Sequence, residues 1–164
     1  MSTLIPNENC WIGFSEDMPA DDVDLVPTAA EVAAAVELTD FIISLTANAT
    51  GNTVPTPKLK SLFESSIPGT STAQFTAEMY RDSVQADDLA WNSLPRNQAG
   101  VFYISRFGGT GAELMPIASD HVETWPVVVT SRSASPMSSN TAQTFTLTCS
   151  VPQEPNEDAV IAGP

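Results

Sequence analysis

Basic side chains are scarce in this sequence. Six Lys and Arg stand against 20 Asp and Glu among 164 residues, which gives a formal net charge of −14. Residues 1–57 carry nine carboxylates and no Lys or Arg, and no base follows Arg132. Such a surface repels phosphate, so the composition disfavours tight nucleic-acid binding by counterion release. The alternative explanation is that the excess of acidic residues serves only to keep the protein soluble.

Side chains for catalysis and metal binding are also few. The one histidine, His121 in "SDHVETW", has no serine in a G-x-S-x-G motif to activate, and one His with two distant Cys cannot form a structural zinc site. The run "DDVD" at 21–24 lacks the Gly and final Glu of an EF-hand, and "RFGGTG" at 106–111 lacks the lysine of a phosphate-binding loop. We therefore expect no enzyme, no metal and no cofactor.

Long apolar runs and a cysteine framework are missing too. No stretch approaches the roughly 20 apolar residues of a membrane span, and the first nine residues lack the basic and apolar parts of a signal peptide. We expect neither membrane insertion nor secretion. Cys10 and Cys149 are then predicted to be buried thiols, because a disulfide would need the first and last strands side by side.

The sequence is rich in alternating apolar and hydroxyl residues. The segment "TFTLTCSV" at 144–151 places Phe145, Leu147 and Cys149 on one side and threonines on the other, which is typical of a strand with one buried face. Further strands are predicted at 10–14, 41–50, 74–81, 101–107 and 122–132. Pro126 interrupts the last of these and implies an edge position or a bulge.

Helices are fewer and short. Thr28 and Glu31 form a capping box that predicts one or two helical turns within Ala29–Leu38, and "DDLAWNSLP" at 87–95 predicts a second helix. Residues 56–65 are predicted to be extended, and the linkers or loops are 15–27, 48–57, 106–119, 131–141 and 152–164. The expected fold is mainly β, an antiparallel β-sandwich or barrel with one short helix packed outside. A single domain spans 1–164, with an acidic N-terminal segment (about 1–40) and an extended C-terminal arm (152–164).

The order of these features resembles a known family. The segments "TPKLKSLFESSIPGTSTAQFTAEMYRD", "DDLAWNSLPRNQAGVFYISRFG" and "ETWPVVVTSRSASPMSSNTAQTFTLTCSVPQEPNEDAVIAG" are similar to the major tail tube protein of long-tailed, siphovirus-like bacteriophages, especially those of actinobacterial hosts. The resemblance implies a β-sandwich subunit whose six copies join their sheets into a ring with a β-barrel lumen. Rings would stack into the tube through which genome DNA passes without tight binding.

The resemblance also implies partners and a location. The partners would be other copies of the chain, the tape-measure protein, the tail terminator and the distal tail proteins. The protein would reside in the virion tail, after assembly in the host cytoplasm. Pairing of strand edges would form the interface between subunits, because a closed barrel removes exposed edges. The acidic N-terminal segment and the C-terminal arm are expected to become ordered only on stacking.

Candidate site residues follow from the polar sides of the predicted strands and from the charged segments. Those predicted to face the lumen are Thr46, Asn48, Thr76, Glu78 and Glu123. Those predicted to lie between subunits or rings are Arg81, Arg106, Thr144, Thr146, Thr148, Glu154, Glu157 and Asp158. Arg81 and Arg106 are expected to pair with carboxylates of their own or a neighbouring subunit. Which sheet faces inward stays open at this point.

Other functions compete with the tail tube. A tail terminator, a head decoration protein or a fibre domain has the same compositional features. A carbohydrate-binding β-sandwich would use Trp11, Trp91 and Trp125 as a stacking platform, although core packing is favoured for all three.

Overall fold

The fold is mainly β, as the sequence predicts. The computed structural model describes residues 9–56 and 65–163, and in them eight strands and two short helices. The strands are β1 (Trp11–Ser15), β2 (Val36–Glu37), β3 (Ile42–Thr56), β4 (Ser65–Tyr80), β5 (Ala99–Ser105), β6 (His121–Ala134), β7 (Thr144–Ser150) and β8 (Asn156–Val160). The helices are α1 (Ala29–Ala34) and α2 (Leu89–Ser93), and short 3-10 turns cover Thr39–Phe41 and Ala112–Leu114. No helix within the described residues is both long and apolar enough to cross a membrane.

The strands form one antiparallel sheet that folds over on itself. Its order is β2-β1-β5-β6-β7-β4-β3, with β8 beside β6. Strand β6 belongs to both halves, because its first part pairs with β5 and β8 and its last part pairs with β7. Along one edge of β6, the pairing with β8 ends at Thr124 and the pairing with β7 begins at Val128. Pro126 lies between these two residues. The interruption predicted at this proline therefore falls at a gap along one edge of β6.

The main core lies between the two halves of the sheet. Phe75 of β4 stacks on Phe102 of β5 with ring centroids 4.6 Å apart, although the two strands are not neighbours in the sheet. Trp125 and Phe145 are fully buried in the same cluster. Burial of these aromatic side chains, at about 25 cal/mol per Å² of apolar surface, makes this cluster the main source of stability.

A second core covers the other face of β1, β5 and β6. It contains Trp11, Val32, Tyr103 and Val122, with Ile161 from the C-terminal segment. The predicted capping box of α1 is present: the Thr28 side chain accepts a hydrogen bond from Glu31 N–H, and the Glu31 carboxylate accepts one from Thr28 N–H. Both faces of the central strands are therefore buried.

Helix α1 spans Ala29–Ala34, which agrees with the one or two turns predicted there, and Val36 pairs with Phe14 as part of β2. Two predicted strand ends are wrong. Residues 51–56, predicted as part of a linker, continue β3, and β6 extends through Ala134, past the predicted end at residue 132. Residues 57–64 lie outside the described residues.

The C-terminal arm also differs from the expectation. Residues 156–160 pair with β6, and Ala159 and Ile161 are buried against the second core. The alternating apolar residues of "DAVIA" provide a buried face, so this segment is ordered within its own subunit. The acidic N-terminal segment likewise includes β1 and α1, both packed in the fold.

Candidate functional site

Rows of polar side chains cross one face of the sheet formed by β3, β4, β7 and the last part of β6. In one row Thr46 pairs with Thr76, Thr76 with Thr148, and Thr148 with Ser131. In the adjacent row Ser44 pairs with Glu78, Glu78 with Thr146, and Thr146 with Ser133. In a shorter third row Asn48 pairs with Gln74. We call these ten residues the hydroxyl face.

The hydroxyl face points away from the core because side chains alternate along each strand. Between its residues lie Phe75, Ala77 and Met79 on β4, and Phe145 and Leu147 on β7, all at most 1% exposed. A one-residue shift of register would bring the apolar set to the surface, so the core fixes the position of the polar rows.

The hydroxyl face has one charged group, the carboxylate of Glu78. Thr144 Oγ1 donates a hydrogen bond to Glu78 Oε1 at 3.4 Å. Arg132 interrupts the serines of β6 in sequence, but its register partner is Leu147, and its guanidinium lies over the ring of Trp91 on the core side. The described part of this face thus presents hydroxyls, amides and a carboxylate, with no cation.

The structure brings together most of the residues predicted for the lumen and the threonines predicted for interfaces. Thr46, Asn48, Thr76 and Glu78 share the hydroxyl face with Thr146 and Thr148. Thr144 lies at its border, where it pairs with Tyr80. Whether this face lines a lumen stays a prediction.

Glu123 lies apart from that face, in the part of β6 that pairs with β5. Arg106 binds both of its carboxylate oxygens, with Nη2 to Oε2 at 2.9 Å, and Trp125 Nε1 donates to Oε2 at 3.1 Å. The hydrogen bond with Glu123 raises the pKa of Arg106 above its usual value. Glu123 and Arg106 are therefore partners within one subunit.

Arg81 also pairs within its own subunit. Its Nε lies 2.5 Å from Oδ2 of Asp88, a fully buried carboxylate at the start of α2. The guanidiniums of Arg81 and Arg132 lie 3.9 and 4.0 Å from the ring centroid of Trp91. This corner, at the β6 end of the sheet, carries two of the chain's few cations.

The C-terminal acids lie together on another surface. Glu154, Glu157 and Asp158 line a shallow groove with Asp24 and Ala49. The Oδ1 atom of Asp158 lies 2.7 Å from Nδ1 of His121. These acids do not approach the threonine rows of the hydroxyl face.

Both outer strands of the four-stranded part have free edges. Among the described residues, residues 44–55 of β3 have strand pairing with β4 alone, and β6 beyond Thr130 has strand pairing with β7 alone. The far ends of β3 and β4 form a hairpin that continues past the last residue paired with β7, Phe75. Val54 and Ile67 face each other on this hairpin and are about half exposed. Unpaired edges of this length favour addition of another strand.

The described residues show no group of three or more His, Cys, Asp or Glu that could hold a metal. Cys10 and Cys149 are both free thiols, and burial raises the pKa of Cys149 to about 12. The three tryptophans do not form the stacking platform that a carbohydrate-binding protein would need. Trp11 and Trp125 are 2% and 0% exposed, and Trp91 is covered by two arginines.

Comparison with known proteins agrees with this geometry. The family model of the phage tail tube protein matches residues 7–164. The chain belongs to this family. It is therefore a tail tube protein, with a structural role in the tail of a virion. No curated protein sequence matches it significantly.

Solved structures share the fold of this tail tube protein. A chain from the virion of a native gene transfer agent is 11% identical, with a TM-score of 0.58 over 93% of this chain and 96% of that one. A chain from the baseplate of the anti-feeding prophage is 12% identical, with a TM-score of 0.57 over 94% and 95%. A chain from the tail of an empty gene transfer agent particle, refined with C6 symmetry, is 13% identical, with a TM-score of 0.50 over 70% and 80%.

Some residues of the tail tube protein's surfaces were missed by the sequence analysis. Ser131 and Ser133 belong to the hydroxyl face, and their alternation around Arg132 was the available signal. Trp91, Arg96 and Arg132 were not grouped, because residues 91 and 132 are far apart in sequence.

Proposed function

We propose that this tail tube protein assembles into hexameric rings that stack into the tube of a long-tailed phage, with the hydroxyl face lining the channel for genome DNA. The observation that carries this proposal is the four-stranded sheet with two free edges and one cation-free polar face. The C6 symmetry of the related gene transfer agent tail supports a six-membered ring. The similar sequence segments support an actinobacterial host and a siphovirus-like tail.

The strand directions allow the ring to close. Neighbouring strands from β6 through β7 and β4 to β3 alternate in direction, so β3 and β6 run opposite ways. Joining β3 of one copy to β6 of the next therefore continues the antiparallel pattern. This pairing would satisfy the backbone groups of both free edges.

The size of such a barrel suits a DNA conduit. Four strands from each of six copies, spaced about 4.8 Å apart and tilted by about 40°, give a barrel roughly 50 Å across between backbones. Side chains narrow this channel, but a duplex about 20 Å wide still passes. Because the wall offers hydroxyls and a carboxylate but no cation, it cannot displace the counterions of the DNA phosphates, and the DNA slides without being held.

The remaining surfaces fit the same assembly. The projecting hairpin with exposed Val54 and Ile67 is placed to contact an adjacent ring, and the ends of the tube would meet the tape-measure, terminator and distal tail proteins. Assembly takes place in the host cytoplasm in this proposal, and the protein has no catalytic role.

Negative-stain electron microscopy tests the proposal. Purified protein at increasing concentration, alone and with phage tail components, is expected to give six-membered rings and tubes with an open channel. Monomers that persist under all of these conditions would contradict it, and trimers or single closed rings that never stack would favour a fibre or terminator protein.

A further inference from the structure

Two opposite edges of the four-stranded sheet carry opposite charge. At the β6 edge a groove of about 350 Å³ is lined by Trp91, Arg96, Ser131, Arg132 and Ser133. We call the three arginines at this groove, Arg81, Arg96 and Arg132, the arginine corner; Ser131 and Ser133 border the groove from the hydroxyl face. Arg96 Nε donates to the Thr130 carbonyl, and Arg132 Nη1 donates to the Trp91 carbonyl.

The positive charge of this corner is only partly neutralised within the subunit, by the Asp88 carboxylate that pairs with Arg81. The ion pairs of the described residues are Arg81 with Asp88, Arg106 with Glu123, and His121 with Asp158. Arg96 and Arg132 thus have carbonyl partners but no carboxylate in this part of the chain. Burial, and then the charge of Arg81, lower the pKa of Arg132, while the carboxylate of Asp88 acts in the opposite direction.

The β3 edge is flanked by acids. The groove around Ala49, about 430 Å³ in volume, is lined by Asp24, Glu154, Glu157 and Asp158, which we call the acidic groove. All four acids are exposed, and no Lys or Arg of the described residues forms an ion pair with them. The Asn156 side chain donates to the Asp24 carbonyl and holds the acidic loop beside β8.

Both charged surfaces lie on the same side of the sheet. Arg132 is the register partner of the core residue Leu147, so its side chain lies on the core side. Ala49 is two residues from Ala47, which packs against the main core, so Ala49 lies on the same side. The hydroxyl face lies on the opposite side. When β6 of one copy pairs with β3 of the next, the arginine corner and the neighbour's acidic groove come to the same outer side of the joined sheet.

We propose that the arginine corner is a docking site for the acidic groove of a second copy of this chain. Charge complementarity then selects pairing of unlike edges, β6 with β3, over pairing of two β3 edges, which would bring two acidic grooves together. Like charges placed opposite each other disfavour an interface, so wrong pairings are suppressed. This inference rests on the proposed ring assembly and names the contacts that direct it.

A charge swap tests the inference. Arg96→Glu and Glu154→Arg, each alone, are expected to raise the protein concentration needed for ring formation about tenfold or more, because each places like charges across every interface. The double variant restores opposite charges between neighbours and is expected to return to within about threefold of the unmodified protein. Sedimentation velocity and electron microscopy over a concentration series give the readout, and added salt should weaken the effect of either single change.

Matched controls separate the outcomes. Glu37→Arg on β2, at the other end of the strand order, changes the net charge as Glu154→Arg does and should leave assembly unchanged. If Arg96→Glu alters the circular dichroism of the monomer, Arg96→Gln repeats the test while keeping a donor for Thr130. Unmodified protein that never associates overturns both this inference and the proposed function. Normal assembly that is insensitive to the single changes, or a double variant no better than the weaker single, overturns this inference alone.

Discussion

The Arg81–Asp88 pair shows how strongly one residue can matter in this fold. Asp88 is fully buried, its Oδ1 atom has no hydrogen-bond partner, and Arg81 supplies the opposing charge to its Oδ2 atom. A buried carboxylate is tolerated only while it stays paired. The position of α2 and the arginine corner therefore depends on this contact.

Arg81→Met is expected to lower the free energy of unfolding by about 3–5 kcal/mol, because it leaves the Asp88 carboxylate buried and unpaired. Asp88→Asn in the same chain should recover much of this loss, which urea denaturation of the two single variants and the double variant measures. Equal, additive losses from the two changes would show that the pair is not coupled.

Glu31 gives a residue-scale prediction about pH. Burial alone would raise its pKa, but hydrogen bonds from the backbone of Thr28 and Ala20 and from the Thr28 hydroxyl outweigh burial and hold the pKa below the usual 4.5. A lowered folded-state pKa means that the ionised form stabilises the fold above the unfolded-state pKa, and that this contribution is lost as the pH falls below about 4.5.

Glu31→Gln should therefore be less stable than the unmodified protein at pH 7, and the difference should shrink at pH 3. Chemical denaturation of both proteins at the two pH values measures the difference. If the difference in the free energy of unfolding between the two proteins stays constant with pH, the effect comes from packing and not from charge.

At the scale of elements, the β3–β4 hairpin extends beyond the part of β4 that pairs with β7. Among the described residues, residues 48–55 of β3 and the residues of β4 opposite them have strand pairing only with each other, and the cross-strand neighbours Val54 and Ile67 are exposed. Exposed apolar side chains on a projecting hairpin stabilise a contact with another molecule.

Val54→Ser with Ile67→Ser is expected to leave the monomer fold and the rings intact but to shorten or abolish tubes, because the hairpin loses its apolar contact with the next ring. Tube lengths in electron micrographs provide the measurement. Val23→Ser, at a side chain 79% exposed outside the hairpin, is the control. Tubes of normal length from the hairpin variant would remove the hairpin from the stacking contact.

Elements also show where the sequence was informative. Strict alternation in β7 and the capping box of α1 predicted those elements, because both signals are local. The sequence did not predict that residues 51–56 continue β3: Gly51, Pro55 and the polar side chains are typical of a loop, and only pairing with β4 makes them a strand. The docking of β8 depends on a groove beside β6 that no local pattern specifies.

At the scale of the whole molecule, the acidic net charge can be counted from the sequence, but the distribution of that charge over the surfaces could not be predicted from it. The fold separates the charge into a nearly neutral hydroxyl face, an acidic groove and an arginine corner on different surfaces. The grouping of Arg81, Arg96 and Arg132 arises from the packing of α2 on β6 and could not be predicted from spacing.

In the proposed tube, cations placed on the hydroxyl face should make the channel wall bind DNA. Tubes with Thr76→Lys and Thr148→Lys are expected to retain duplex DNA at 50 mM salt and to lose it steeply by about 200 mM, since each lysine adds a phosphate contact. Co-sedimentation of labelled DNA with tubes measures this, and Ser138→Lys, at an exposed residue in the loop after β6, is the matched control. Equal retention by the control would show that the hydroxyl face does not line the channel.

The even number of strands in the four-stranded part has a consequence for ring size. Each copy adds two up-strands and two down-strands, so a ring of any number of copies closes without a parity mismatch in its hydrogen-bond ladder. Strand pairing alone therefore does not count subunits. In the proposed ring the copy number must be set by the wedge angle that the outer layer of β1, β5, α1 and β8 imposes between neighbours, and substitutions that thicken or thin this layer are the ones expected to change the symmetry.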